Sequence, residues 1–147
     1  MNAQKILFPT DFSPASTEAL KWATSLARDS GASLTIVHVE EPPMAYGGGE
    51  MYVGAEEGDR EELKKTLVQV VPLDPAIQFE HKLLAGDPAT AIVQIAEEEN
   101  ADFIVIGTHG RTGLTRLLMG SVAESIVRRA KCPVLTIKQP AHAEAHA

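Results

Sequence analysis

Four glycines and two arginines lie within one short segment, GTHGRTGLTRLLMGS, which runs from Gly107 to Ser121. The chemistry open to such a segment is anion binding. Glycine reaches backbone angles closed to other residues and lets a ligand touch the main chain. Exposed N–H groups that lead into a helix N-terminus attract negative charge through the amides and the helix dipole together. Arg111, between the glycines, is the better-placed countercharge, and Arg116 reads as solvated. The Ser121 hydroxyl could donate to a phosphate oxygen. No Gly-Lys-Ser/Thr occurs, so the loop is not of the Walker type, and no G-x-G-x-x-G follows the first strand. A plainer reading competes: such turns often only turn, and Ser121 with Glu124 three residues later forms a capping box. On spacing alone the two readings stand level.

Other candidate groups are sparse. Asp11, in PTD after the first apolar run, is either a cap near Ser13 or a ligand contact. His38 sits within an apolar strand and reads as a packed core histidine. His81 alternates with apolar residues and reads as structural. His109, inside the glycine loop, is placed to meet a ligand. His142 and His146 belong to an alanine-rich tail. Trp22 reads as helix packing, and EEEN at 97–100 as a solvated helix end. Cys132 reads as partly buried rather than catalytic, because sequence places no histidine or acid partner beside it. No catalytic residue and no metal-ligand set is assigned.

Composition sets the outer bounds. The 147 residues are 44% hydrophobic and 22% charged, a globular balance, with a formal net charge of -7. Without a basic run, duplex DNA and anionic membranes are poor partners. The start, MNAQKILFPTD, has no long apolar stretch, so neither a signal peptide nor a membrane span is expected. A single cysteine excludes an internal disulfide and suits a cytoplasmic protein.

The elements that must position the loop follow from hydrophobic periodicity. Strands are predicted over 5–10, 33–41, 77–85, 103–107 and 133–138. Helices are predicted over 13–31, 59–71, 87–100 and 121–130. Ser13 with Pro14 and Asp87 with Pro88 are helix starts, and Gly31 is a helix stop. In the second helix Leu63, Leu67, Val70 and Val71 should face inward. In the third, Ile92, Ile95 and Ala96 should. The segment 42–58 is long for a connection and is expected to be mobile or a lid. Residues 140–147 form a low-complexity tail expected to be disordered, leaving one domain over 1–139. Strands alternating with helices imply a parallel sheet with right-handed crossovers and helices on both faces. Ligands then bind beyond the carboxyl ends of the strands, where strand order reverses. If the first and fourth strands are neighbours, PTD and the glycine loop line one crevice.

The spacing Gly107-x2-Gly110-x9-Gly120-Ser121 resembles the ATP-binding signature of the universal stress protein family, G-x2-G-x9-G-[S/T]. KILFPTDFSPAS, VHVEEPP, GDPATAIVQIAEEENADFIVIGTHG and CPVLTIK extend the resemblance over nearly the whole chain. It implies a Rossmann-like or flavodoxin-like α/β domain with five parallel strands in the order 3-2-1-4-5, forming a homodimer through strand 133–138. It implies that Gly107, Gly110, Gly120 and Ser121 hold the ribose and phosphates of ATP, with the amides of His109, Arg111 and Val122 nearby. Pro9, Thr10 and Asp11 would line the nucleoside side, with Asp11 taking ribose hydroxyls or assisting Mg2+. The backbone of Val39 would read the adenine edge. The expected function is nucleotide-dependent regulation in a stress response. The alternatives are a slow ATPase and a flavodoxin-like FMN carrier, the last weakened by 5% aromatic content.

Overall fold

The computed structural model describes residues 3–42, 57–108 and 120–138. Within them strands and helices alternate: β1 (Lys5–Pro9), α1 (Pro14–Ser30), β2 (Ser33–Glu40), α2 (Glu57–Val68), β3 (Phe79–Ala85), α3 (Pro88–Glu98), β4 (Phe103–Gly107), α4 (Ser121–Arg129) and β5 (Val134–Ile137). The strands form one sheet in the order β3-β2-β1-β4-β5, with every pair parallel. This is the flavodoxin-like α/β arrangement. The segment 43–56, most of the glycine loop (109–119) and the tail from 139 onward lie outside the described residues.

The central strands explain the two-sided architecture. In β1, Ile6, Leu7 and Phe8 are all fully buried, and in β4 Ile104 and Val105 are too. Consecutive apolar residues point to opposite faces, so both faces must be covered. On one face Ile6, Phe8, Leu34, Ile36 and Val105 pack with Ala19, Ala23 and Ala27 of α1 and Leu67 of α2. On the other, Leu7, Val37, Val39, Ile104 and Ile106 pack with Ile92 and Ala96 of α3 and Ala123 and Ile126 of α4.

Local signals start and stop the helices. Ser13 caps α1 by accepting the Ser16 N–H at 3.2 Å, with Pro14 in the first turn. Gly31 ends that helix in the left-handed conformation at φ 75°, where a side chain would be strained. Asp87 caps α3 by accepting both the N–H and the hydroxyl of Thr90, at 3.0 and 2.8 Å.

Several expectations need correction. The second helix stops at Val68 rather than residue 71, and Val71 is exposed. Pro72 follows, and a residue before proline is pushed out of the helical region. The last turn has already tightened, with Val70 N–H donating to Leu67 O at 2.9 Å. The third strand begins at Phe79, not 77. Trp22 is 53% exposed on α1 and does not pack in the core. The acidic run at 97–100 is not all solvated. Glu99 is 16% exposed and pairs with both Lys5 (3.5 Å) and Lys82 (3.0 Å), which tie the end of α3 to β1 and β3.

β1 and β4 are adjacent at the centre of the sheet, and the chain leaves them in opposite directions. β1 runs on to α1 on one face and β4 to α4 on the other. The crevice between these departures is the point where strand order reverses.

Candidate functional site

A cavity of about 520 Å³ opens at this point, within the size range of small-molecule sites. Its described lining is drawn from the carboxyl ends of β1, β2 and β4, the amino ends of α1, α3 and α4, and Leu63 of α2. Pro9, Thr10, Asp11, Val39, Gly107, Gly120, Ser121 and Val122 all line it. The structure therefore brings eight of the eleven expected site residues to one cavity. His109, Gly110 and Arg111 lie outside the described residues.

The β1–α1 wall is built from a tight turn. Phe12 adopts the left-handed conformation at φ 66°, which is costly for a bulky residue and is tolerated only where surrounding contacts enforce it. Those contacts are present. The Thr10 hydroxyl oxygen accepts the Phe12 N–H at 3.0 Å and the Ser16 hydroxyl at 2.5 Å. Asp11 Oδ1 accepts the Ser13 N–H at 3.0 Å. Asp11 therefore fixes the turn ahead of α1, while Ser13 is the helix cap, so the two readings of Asp11 are not exclusive. One carboxylate oxygen serves the turn, and Asp11 still forms part of the cavity wall.

The opposite wall is the start of α4. Gly120 occupies the cap position with φ −62° and ψ 155° and supplies no side-chain cap bond. These angles suit any residue, so the backbone conformation does not itself require glycine here. Ser121 is the first residue of the helix, not its cap, which removes the capping-box reading. The carboxylate of Glu124 pairs instead with Arg128 at 3.3 Å. The first N–H of this helix with a backbone partner is that of Glu124, to Gly120 O at 2.9 Å. The N–H groups of Ser121, Val122 and Ala123 have no partner among the described residues, and all three residues line the cavity. The helices α1 and α3 satisfy one such donor with a serine and an aspartate. At α4 no side-chain cap occurs among the described residues, and the residues that carry the leading N–H groups of the helix line the cavity. Gly120 N–H donates to Thr108 O at 2.5 Å, so the chain leaves β4 and re-enters at α4 at one point of the rim.

The end of β2 supplies a third feature. In a parallel ladder the peptide groups of a strand face its two neighbours alternately. Thr10 N–H donates to Val37 O at 2.8 Å, which turns Val37 toward β1. Val39, two residues on, faces the same way. By then the chain of β1 has turned off toward α1, and no hydrogen bond joins Val39 to Thr10 among the described residues. Among the described residues the backbone of Val39 thus has no partner from β1 at the cavity wall.

Charge is divided across the cavity. Asp11, Glu40 and Glu41 lie on the β1–β2 side, and no lysine or arginine occurs among the described lining residues. Glu40 is ion-paired to Arg60 of α2. Apolar walls come from Val39, Leu63, Ile92 and Ile106. An apolar slot, an acidic side and a rank of amides without partners among the described residues together suit a ligand with a flat base, hydroxyls and an anionic end.

Sequence reading missed one lining residue with evident chemistry, His38. It is half-buried, not packed in the core, and its ring lies 4.4 Å from that of Phe12. The sequence held no signal for it: His38 matters because it is the residue of β2 beside the point where β1 turns away, and that follows from the register of the two strands. By contrast His81 is structural as expected, with Nε2 2.7 Å from Val70 O. Cys132 is partly buried, and that burial pushes its thiol pKa up. No helix among the described residues is long and apolar enough to cross a membrane.

Comparison with known proteins places the chain among relatives. Residues 2–138 match the model of the universal stress protein family. The Methanocaldococcus jannaschii universal stress protein MJ0531 is 40% identical, over 93% of this chain and 83% of its own. Universal stress protein A homolog 1 of Coxiella burnetii is 36% identical, over 93% and 97%. Among solved structures, the universal stress protein from Archaeoglobus fulgidus in complex with dAMP superposes with a TM-score of 0.68 at 30% identity, covering 94% of this chain and 100% of that one. A universal stress protein in complex with cAMP gives a TM-score of 0.61 at 27% identity, covering 95% and 100%.

Proposed function

The chain belongs to the universal stress protein family, and from that premise we propose that it is an ATP-binding regulatory protein of the stress response. The observation that carries the reading is the start of α4, where three residues whose N–H groups have no partner among the described residues line the cavity. Anionic oxygens are the natural acceptors for donors at a helix N-terminus. In this reading Gly107, Gly110, Gly120 and Ser121 hold the ribose and phosphates, with the amides of His109, Arg111 and Val122. Pro9, Thr10 and Asp11 line the nucleoside side. Val39 offers its backbone to the base. The complexes of relatives with dAMP and cAMP support an adenine nucleotide as the ligand class.

Mg2+ accompanies ATP in this reading, with Asp11 as the nearest carboxylate. Occupancy, not turnover, is the signal: bound nucleotide alters shape or partners. The protein works in the cytoplasm as a homodimer joined through β5. The last strand supports that pairing because it lies at the sheet edge with no charged residue between Val134 and Ile137. The other edge strand, β3, carries Glu80 and Lys82, which discourage edge pairing.

The test is mass spectrometry of small molecules released from freshly purified protein, followed by calorimetric titration with ATP. An adenine nucleotide and saturable binding are expected. A flavin, or no measurable ATP binding, would overturn the reading.

A further inference from the structure

The missing rung between β1 and β2 has a cause. Since Thr10 N–H is bound to Val37 O, the next bond of the ladder would run from Val39 N–H to Thr10 O. The Thr10 carbonyl is instead met by His38 Nδ1 at 2.8 Å. A carbonyl can only accept, so Nδ1 carries the proton. The imidazole stands in for the strand amide and leaves that amide without a partner among the described residues.

The arrangement is held from both sides. The Phe12 ring lies against the imidazole, tilted by 32° with centroids 4.4 Å apart. Phe12 makes that contact from its left-handed backbone, and the Thr10 hydroxyl oxygen holds the turn by accepting the Phe12 N–H. A strained residue, a buried threonine and a histidine thus converge on one carbonyl. Ordinary strand pairing would have satisfied that carbonyl with none of them.

We propose that His38 is a positioning residue of the nucleotide site: its imidazole occupies the Thr10 carbonyl and keeps the Val39 N–H available to an acceptor on the edge of a bound base. This rests on the nucleotide reading above. Without the imidazole, Thr10 O closes on Val39 N–H, β1 gains a rung, and the base end of the cavity loses a donor.

Substitution separates this role from direct contact. In His38→Asn the side-chain amide can offer a donor near the position of Nδ1. In His38→Gln the amide reaches toward the position of Nε2. His38→Ala offers neither. Amide hydrogen exchange of the ligand-free protein reads the rung itself. The Val39 amide should exchange freely in the native chain and in His38→Asn, and slow about tenfold in His38→Ala, the factor expected for one added hydrogen bond. Calorimetry with ATP should show affinity falling by about the same factor in His38→Ala and His38→Gln and retained in His38→Asn. Unchanged Val39 exchange in folded His38→Ala would overturn the proposal. So would ATP affinity retained in His38→Gln and lost in His38→Asn, which would mark a ligand contact through Nε2. No ATP binding to the native chain would defeat the nucleotide reading itself, and the role with it. The exchange data would still show which donor the Thr10 carbonyl takes.

Discussion

Gly107, at the end of β4, lies so close to α1 that a Cβ added to it would stand 2.8 Å from the carbonyl oxygen of Ala15. The neighbouring atom is backbone, so it cannot swing aside. The first glycine of the signature therefore has a packing duty independent of any ligand: it lets the strand that carries the glycine loop seat against the start of α1. Gly107→Ala should destabilise the fold by about 1–3 kcal/mol, the usual cost of overpacking. Chemical denaturation measures it. A midpoint within error of the native chain would show that α1 shifts freely there.

Ser121 has the opposite character. Its hydroxyl caps no N–H among the described residues, since the cap position belongs to Gly120 and the residue itself is exposed. Ser121→Ala should therefore change stability by no more than about 0.5 kcal/mol. Its ATP affinity should fall by about 1.5–3 kcal/mol, the worth of a hydrogen bond to a charged group. Thermal melting and calorimetry on the same sample separate the two. A large stability loss would restore the capping reading, and unchanged affinity would remove Ser121 from the site.

Glu99 joins β1, β3 and the end of α3 through Lys5 and Lys82. Burial on its own would raise its carboxyl pKa, but Lys82 and then Lys5 outweigh burial and hold it below the usual value. Lys82 is raised, first by its hydrogen bond to Glu99. A lowered carboxyl contributes stability above its unfolded pKa and loses it as pH falls through the folded one. A raised lysine contributes below its unfolded pKa and loses it as pH rises through the folded one. Glu99→Gln should thus cost about 1 kcal/mol at neutral pH, and the difference should shrink once pH falls below the ordinary glutamate value, about 4.3, and on through the lower folded one. Denaturation of both proteins across that range is the check. A difference that persists in acid would mean that Glu99 acts by shape rather than charge.

Homodimer formation should depend on the last strand. Val134, Leu135 and Thr136 are only partly buried, and β5 pairs on one side alone, with β4. Thr136→Pro removes a donor in the middle of that edge. Light scattering should report a dimer for the native chain and a monomer or aggregate for the variant. A folded Thr136→Pro dimer would move the contact elsewhere.

The fold was legible because its periodicities are clean. Three-residue apolar runs in β1 and β4 demanded cover on both faces, and Ser13, Asp87 and Gly31 marked helix ends that the structure keeps. The boundary errors came from neighbours that a pattern does not weigh, such as Pro72 beyond α2. Trp22 was misplaced because bulk suggests burial, whereas α1 meets the sheet through its alanines. The residues that meet at the cavity were legible where a residue's type is itself the signal, as in Gly107, Gly120, Ser121 and PTD. His38 was not, because its part depends on where β1 stops relative to β2. That is a matter of register, and a single strand does not carry it.

The central claim is that the α4 end of the cavity binds the phosphates of a nucleotide. Titration calorimetry with ATP tests it most directly, comparing the native chain with Gly120→Val. Gly120 is buried and lines the cavity, and its backbone angles suit valine, so the variant should fold while its side chain takes up ligand space. Saturable ATP binding by the native chain, and its loss in a Gly120→Val protein with a native circular dichroism spectrum, is the predicted result. Equal ATP affinity in the folded variant would contradict the account.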